Sequence, residues 1–444
     1  MQNRTVRRLT GPQVILMGFL ILVLAGAVLL MLPISTKDHT VTPFIDSLFT
    51  AVSAGCVTGL IVKDTQTSWS LFGQVVILAL IQVGGMGVLT MTTFFTKLMG
   101  RNIDIRSRAA MQEAVSAPNM GDIAKLTDFI VKGTVLFEGL GAVLVMPVFV
   151  KDFGLAKGIW YSVFMSISAF CNAGFDLMGS AGGECSSLTF YADNPIVNIV
   201  FIALILTGGI GFLTWSDICT YKFDFRKYST QSKIIIISEL FLIIIPAMYF
   251  YLYELTGAPT GTRLLEALFC AVSPRTAGFN TIDYNDFSGC GIAITIILML
   301  IGGAPGSTAG GMKITTVAIM WAAMISVLRH EKAPALFKRR ITHDTVASAV
   351  AVFFLDMHLF LVGAITIATI EHLPLVTTLF ECASAVATVG LTMGITSGLS
   401  AASKLILIFI MYGGRVGGLT LVFAATGRKS TMNDKYPSDS VAVG

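Results

Sequence analysis

The chain has 444 residues, of which 54% are hydrophobic and only 13% charged, and its mean hydropathy is +0.79. Soluble domains run near ~25% charged, so a water-soluble enzyme, a nucleic-acid binder and a disordered scaffold are excluded. No alternation of apolar and polar residues dominates, which excludes a β-barrel and leaves a polytopic helical membrane protein; the net charge of +4 matters less than where the charges sit.

The N-terminus carries Arg4, Arg7 and Arg8, followed by an uncharged run from Gly11 to Ser35. That run is too long for a signal-peptide core and no small-residue cleavage site follows it, so it predicts a first span. A span takes ~20 mostly apolar residues. Eight segments qualify: 13–34, 70–96, 129–150, 195–218, 233–253, 289–328 (long and broken), 345–370 and 403–427. Between the members of each pair lies a shorter apolar stretch, at 44–55, 159–172, 264–274 and 374–387. Helices of that length reach ~15–20 Å, about half a bilayer. They can enter and return but cannot cross.

The order long, short, long therefore occurs four times, and the short stretches resemble one another. They read LFTAVSAGCVTGL, VFMSISAFCNAGF, LFCAVSPRTAGF and LFECASAVATVGL. Each has Phe and then Ser four residues on: Phe49/Ser53, Phe164/Ser168, Phe269/Ser273 and Phe380/Ser384. Each then reaches a glycine: Gly59, Gly174, Gly278 or Gly390. The second long segment of each unit carries a glycine pair: Gly84–Gly85, Gly208–Gly209, Gly302–Gly303 and Gly413–Gly414. This register marks an internal fourfold repeat. The predicted organisation is repeat A over 1–97, a linker with repeat B over 98–218, a linker with repeat C over 219–328, a linker with repeat D over 329–427, and a tail over 428–444.

Twenty of the 30 Lys and Arg residues fall in five short stretches. These are the N-terminus; Lys97, Arg101, Arg106, Arg108 and Lys125; Lys222, Arg226, Lys227 and Lys233; Arg329, Lys332, Lys338, Arg339 and Arg340; and Arg428, Lys429 and Lys435. If the short stretches re-enter, all five lie on the cytoplasmic side, as positive-inside requires. If they crossed, the chain would have twelve spans, as a substrate-coupled secondary carrier could. The first and third loops would then face outward against the charge rule.

A half-length helix must lead into non-helical backbone, and bare backbone cannot face lipid. Four such elements can surround one axis, with the negative carbonyl end of each short helix pointing inward. Glycine just beyond lets carbonyl oxygens approach an ion, and rings of carbonyls that replace hydration water are the physics of a potassium filter. The candidate filter residues are Val57, Thr58 and Gly59; Asn172, Ala173 and Gly174; Thr276, Ala277 and Gly278; and Thr388, Val389 and Gly390. One such glycine would suit a plain tight turn; four in matching register point to a filter.

These four units, with filters VTGL, NAGF, TAGF and TVGL, resemble the Trk/Ktr/HKT superfamily of potassium transporters, most of all the membrane subunit of bacterial Ktr systems. The resemblance covers about 13–427. It implies an all-α polytopic membrane protein with four M1-P-M2 repeats, eight transmembrane helices and four re-entrant pore helices around one central pore. In the family, glycine in all four filters goes with potassium, while serine in the first goes with sodium-permeable plant members; Gly59 therefore implies potassium. The implied substrate is a K ion held by filter carbonyls, with no transition-metal site, no covalent cofactor and room for activation by Na ion. The implied assembly is a homodimer in the bacterial cell membrane, both termini cytoplasmic. It docks on a cytosolic octameric ring of regulator-of-potassium-conductance subunits, through which alone ATP or ADP acts. Membrane lipid is the remaining partner, and nucleic acid is not one.

The segment Gly302 to Gly311, GGAPGSTAGG, cannot sustain a helix, because it holds Pro305 and five glycines. It lacks the glycine-lysine-hydroxyl run of a phosphate loop. The resemblance makes Ala304, Pro305, Gly306, Ser307, Thr308, Ala309, Gly310 and Gly311 an intramembrane gating loop. Arg415 lies in the middle of the eighth span, where an arginine is expensive and functional by default; the family places such an arginine in the pore below the filter. Glu138, Glu239, Lys313, Asp356 and His358 read as packing or helix-to-helix pairing. Seven cysteines, without metal-ligand spacing and mostly in apolar stretches, read as small hydrophobes. No catalytic constellation is present.

Overall fold

The computed structural model describes residues 11–99, 123–257, 259–418 and Thr420. The first unit holds α1 (Gly11–Met31), the half-length α2 (Phe44–Gly55), then α3 (Leu71–Met86) and α4 (Val88–Leu98). The second holds α5 (Ile123–Phe153), the half-length α6 (Leu155–Phe170), α7 (Pro195–Gly209) and α8 (Phe212–Tyr221). The third holds α9 (Thr230–Tyr249, prolonged by a π turn over Phe250–Glu254), the half-length α10 (Thr260–Val272), α11 (Gly289–Leu300) and α12 (Ile314–Leu328). The fourth holds α13 (His343–Glu371), the half-length α14 (Leu375–Val386) and α15 (Ala401–Val416). Arg4, Arg7, Arg8, Arg101, Arg106, Arg108, Arg428, Lys429 and Lys435 lie outside the described residues.

Among the described residues, four helices are each long and apolar enough to cross a membrane: those of α1, α5, α9 with its π turn, and α13. The bent pairs α3–α4 and α7–α8 raise the number to six. The outward faces are apolar, with Ile21, Val28, Val143, Phe241, Ile245 and Phe354 exposed, as a lipid-facing surface requires. This is a multi-pass helical membrane protein. One element departs from all-α: a hairpin of β1 (Ala335–Leu336) and β2 (Arg339–Arg340), antiparallel, in the loop between α12 and α13.

The sequence predicted unbroken spans over 70–96, 195–218 and 403–427, with a break only in the third unit. The structure breaks the others too. The chain turns by 95° between α3 and α4 and by 98° between α7 and α8, and α15 stops at Val416. The cause is a left-handed glycine at each point: Gly87 (φ 85°), Gly211 (φ 87°) and Gly417 (φ 90°). A helix cannot continue through a residue of that hand. Each of these glycines lies three residues after Gly84, Gly208 or Gly414.

The units close into a ring. Helix α3 packs on α6, α7 on α10, α11 on α14, and α15 on α2, so each second long helix leans on the half-length helix of the next unit. The last contact joins the ends of the chain. There Lys404 pairs with Asp46 at 2.9 Å, and the Tyr412 hydroxyl donates to the Leu16 carbonyl at 2.5 Å.

Candidate functional site

The half-length helices point their C-terminal ends at the ring. In the first, second and fourth units the end is seated against its own unit's second long helix through a glycine. A methyl group built on Gly84 would lie 2.1 Å from the Gly55 carbonyl oxygen. The same group on Gly208 would lie 2.0 Å from that of Phe170, and on Gly414 2.0 Å from that of Val386. Only glycine admits this approach. The equivalent glycine is thus the first of the pair in the first two units and the second of the pair in the fourth. Arg415 consequently occupies the position that Gly85 and Gly209 hold in their units.

Beyond each helix end the backbone turns left-handed at the same place: Val57 (φ 59°), Asn172 (φ 58°), Thr276 (φ 72°) and Thr388 (φ 52°). Three of these are β-branched, for which that hand is an outlier costing on the order of 1–3 kcal/mol each. Two residues later come Gly59, Gly174, Gly278 and Gly390, again at positive φ (92°, 68°, 79° and 99°). These four glycines form a closed circle. A methyl on Gly59 would lie 2.4 Å from the Ala173 oxygen, on Gly174 3.0 Å from Ala277, on Gly278 2.2 Å from Val389, and on Gly390 2.3 Å from Thr58. Each glycine therefore faces the carbonyl of a neighbouring unit, and the last returns to the first.

The serine repeated in every unit braces this circle. Ser53 Oγ accepts from the Gly59 N–H at 3.1 Å, and Ser384 Oγ from the Gly390 N–H at 2.9 Å. In the other two units the hydroxyl donates instead, from Ser168 to the Phe175 carbonyl at 2.6 Å and from Ser273 to the Phe279 carbonyl. All four serines are fully buried. Removing one leaves a buried amide or carbonyl without its partner, a loss of about 1–3 kcal/mol. Ser384→Ala is expected to destabilise the purified protein by that amount, with Ser384→Thr close to the parent. Thermal unfolding followed by intrinsic fluorescence measures it, and equal midpoints for Ser384→Ala and parent would refute the brace.

Four buried oxygens at the ring lack any hydrogen-bond partner in the structure: Thr58 Oγ1, Asn172 Oδ1, Thr276 Oγ1 and Thr388 Oγ1. An unsatisfied buried polar group is costly; Thr58 stands one position beyond the place that Asn172, Thr276 and Thr388 share, and Thr388 Oγ1 faces Gly310 of the glycine-rich loop.

The glycine-rich loop 302–311 lies against this circle. Thr308 Oγ1 donates to the Phe170 carbonyl at 3.0 Å, and Asn172 Nδ2 reaches Thr308 Oγ1 at 3.4 Å. Ala304 N–H donates to the Gly209 carbonyl, and Phe212 N–H to that of Gly306. On the other side, Gly310 and Gly311 abut Thr388 and Ala387 closely enough that a methyl on either would collide. Within the loop, Ser307 Oγ donates to the Ala304 carbonyl at 2.6 Å. Arg415 reaches the loop from α15. Its guanidinium donates to the Thr308 carbonyl at 2.6 Å and to the carbonyls of Gly84 at 2.5 Å and Gly85 at 3.2 Å.

Beside the loop is a cavity of about 420 Å³ whose lining includes Pro305, Gly306, Ser307, Lys313, Asp356 and Arg415. Lys313 and Asp356, read from the sequence as packing or helix-to-helix pairing, both line the cavity, and Lys313 Nζ donates to the loop carbonyls of Ala309 (2.9 Å) and Gly310 (3.4 Å). Glu239 does pair, with Arg275, an ion pair buried on both sides. Glu138 accepts from Gln82 Nε2 at 3.3 Å. Arg275 is a residue the sequence reading passed over. It adjoins Thr276, and a charge between a half-length helix and its glycine, present in one unit only, was the available signal.

A helical membrane protein whose four half-length helices meet in a ring of glycines and unpaired oxygens has the make-up of a cation transporter, not of an enzyme. A family model described as "Cation transport protein", TrkH, matches residues 3–436. The chain belongs to the TrkH cation transport protein family. It is 38% identical to the potassium/sodium uptake protein NtpJ of Enterococcus hirae, over 100% of this chain and 99% of that one. It is 37% identical to the Ktr system potassium uptake protein B of Bacillus subtilis, over 98% and 97%. The crystal structure of the potassium transporter TrkH from Vibrio parahaemolyticus superposes with a TM-score of 0.77. That match covers 96% of this chain and 87% of that one at 17% identity, and it shows a shared fold.

Proposed function

We propose that the chain is the potassium-uptake subunit of a Ktr-type system in the bacterial cell membrane. Eight crossings and four re-entrant half-length helices, set in the four repeats read from the sequence, surround one pore. The residues Val57 to Gly59, Asn172 to Gly174, Thr276 to Gly278 and Thr388 to Gly390 form its filter. The loop 304–311 and Arg415 form its gate, and the termini face the cytoplasm. The observation that carries this reading is the closed circle of Gly59, Gly174, Gly278 and Gly390, each set against a backbone carbonyl of a neighbouring unit. Two relatives of near-complete coverage bear names of potassium or potassium/sodium uptake proteins. The protein acts as a homodimer on a cytosolic octameric ring that binds ATP or ADP, with sodium ion as an activator.

Flux in purified liposomes tests it. With a potassium gradient and the chain as sole protein, potassium or rubidium uptake is expected to exceed that of sodium by at least about tenfold, the range that a filter difference of ~1.4 kcal/mol produces. Uptake no greater than in empty liposomes overturns the proposal. Cysteine labelling in the 97–125 loop gives an independent check: access from the cytoplasm fits eight crossings, and access from outside fits the twelve-span carrier.

A further inference from the structure

We infer that the cytoplasmic end of the third and fourth units carries a binding site for a phosphate group, and that the ligand filling it is an anionic phospholipid. The site is a cavity of about 780 Å³ between the start of α9, the first turns of α12, the β1–β2 hairpin and the start of α13. Five cations line it: Arg226, Lys227, Lys233, Arg339 and Arg340. Among the described residues no carboxylate lines it. Two of the five are engaged, Lys227 with Asp224 at 3.0 Å and Lys233 with the Arg226 carbonyl at 2.8 Å. The three guanidinium groups have no side-chain partner among the described residues.

Like charges gathered around a hollow repel one another unless an anion sits among them. Arginine forks match phosphate oxygens in paired hydrogen bonds. Two helices begin at the same hollow, α9 capped by Ser229 and α13 capped by Thr342. A further observation points the same way. Gln231 lines the cavity, and its Nε2 is a buried donor with no acceptor.

The walls decide between sources of phosphate. Ile234, Ile319, Phe337 and Ile341 also line the cavity, so a cationic rim stands over apolar side chains. Helices α9 and α13 are membrane-crossing in length and composition, and the cavity lies where they begin. Free phosphate has no use for the apolar wall, whereas a phospholipid presents headgroup and acyl chain in that order. Because Thr315 and Ile319 stand on α12, the helix that leaves the glycine-rich loop, a bound lipid also touches the element that carries the loop's end.

The test uses the full chain purified in detergent, without partner proteins, and native mass spectrometry of bound lipid. Phosphatidylglycerol is expected to be retained at least about tenfold better than phosphatidylcholine, in line with the gain per basic residue at an anionic surface. The variant R226Q/R339Q/R340Q is expected to lose that preference. R339K/R340K, which holds the charge but not the fork, is expected to keep part of it, and a variant with the same charge loss elsewhere (K37Q/K63Q/K157Q) to keep it whole. Equal retention by R226Q/R339Q/R340Q and K37Q/K63Q/K157Q overturns the site. Loss in R339K/R340K as complete as in R226Q/R339Q/R340Q overturns charge as its basis. Inorganic phosphate raising the thermal midpoint of the parent alone, with no preference between the two lipids, overturns the lipid and leaves a soluble phosphate ligand.

Discussion

Replacing Arg415 by alanine is expected to raise potassium flux per inserted molecule by roughly tenfold to a hundredfold in the absence of any partner ring. Hydrogen bonds to a charged group contribute about 1.5–3 kcal/mol, and tenfold corresponds to ~1.4 kcal/mol. The Arg415 guanidinium bonds the Thr308 carbonyl of the loop on one side and the Gly84 and Gly85 carbonyls of α3 on the other. It thus ties the loop to α3, and in the proposed gate its positive charge stands beside the ion's path, so that both act against cation passage. Deleting Ser307 to Gly310 removes the bonded carbonyl itself and is expected to act in the same direction. Arg415→Lys keeps the charge but not the forked geometry and should fall between parent and Arg415→Ala. A purely structural arginine predicts the opposite: misfolding and less flux. The decisive measurement is potassium efflux from liposomes normalised to folded protein, and flux at or below the parent in both Arg415→Ala and the deletion would sink the gate.

The second large effect concerns selectivity. Gly59→Ser places a side chain where its β-carbon would lie 2.4 Å from the Ala173 oxygen, at a backbone angle (φ 92°) that disfavours any β-carbon. The neighbouring segment around Ala173 must shift, and the proposed filter's backbone carbonyls lose their register. The expected result is loss of the preference for potassium over sodium, with a permeability ratio falling from at least about tenfold to near unity, a change of ~1.4 kcal/mol. Gly394→Ala separates the causes. That glycine also has a positive φ (86°) but has nothing within 4 Å of the new methyl. It carries backbone strain without the collision, and its selectivity should match the parent's. An unchanged ratio in Gly59→Ser would remove the filter assignment, and an equal loss in Gly394→Ala would assign the effect to strain.

Much of the architecture was legible because a bilayer demands long apolar runs and cannot tolerate bare backbone. The half-length stretch read at 44–55 is the helix Phe44–Gly55, and that at 374–387 is Leu375–Val386. The repeated serine was visible as a spacing, though not as the brace it forms. The helix breaks at Gly87, Gly211 and Gly417 were missed, since a single glycine in an apolar run costs a helix only ~1 kcal/mol and does not announce its hand. That Lys313 and Asp356 line the cavity was not legible, because charge in an apolar run marks burial without saying what it faces.

The sequence by itself determined the membrane class, the fourfold repeat, the four glycines and the unusual arginine, since each follows from composition, period or residue type along the chain. Tertiary structure alone decided three things. It decided that Gly59, Gly174, Gly278 and Gly390, up to 331 residues apart, face one another's units. It decided that Arg415 meets Thr308 and Gly84 at once. It decided that arginines from two loops, Arg226 and Arg339, share a single hollow. The physical reason is common to all three. A linear pattern fixes which face of a helix is apolar, but the partner of a polar group is chosen by packing between elements distant in the chain, where hydrogen-bond reach and steric fit operate over a few ångströms.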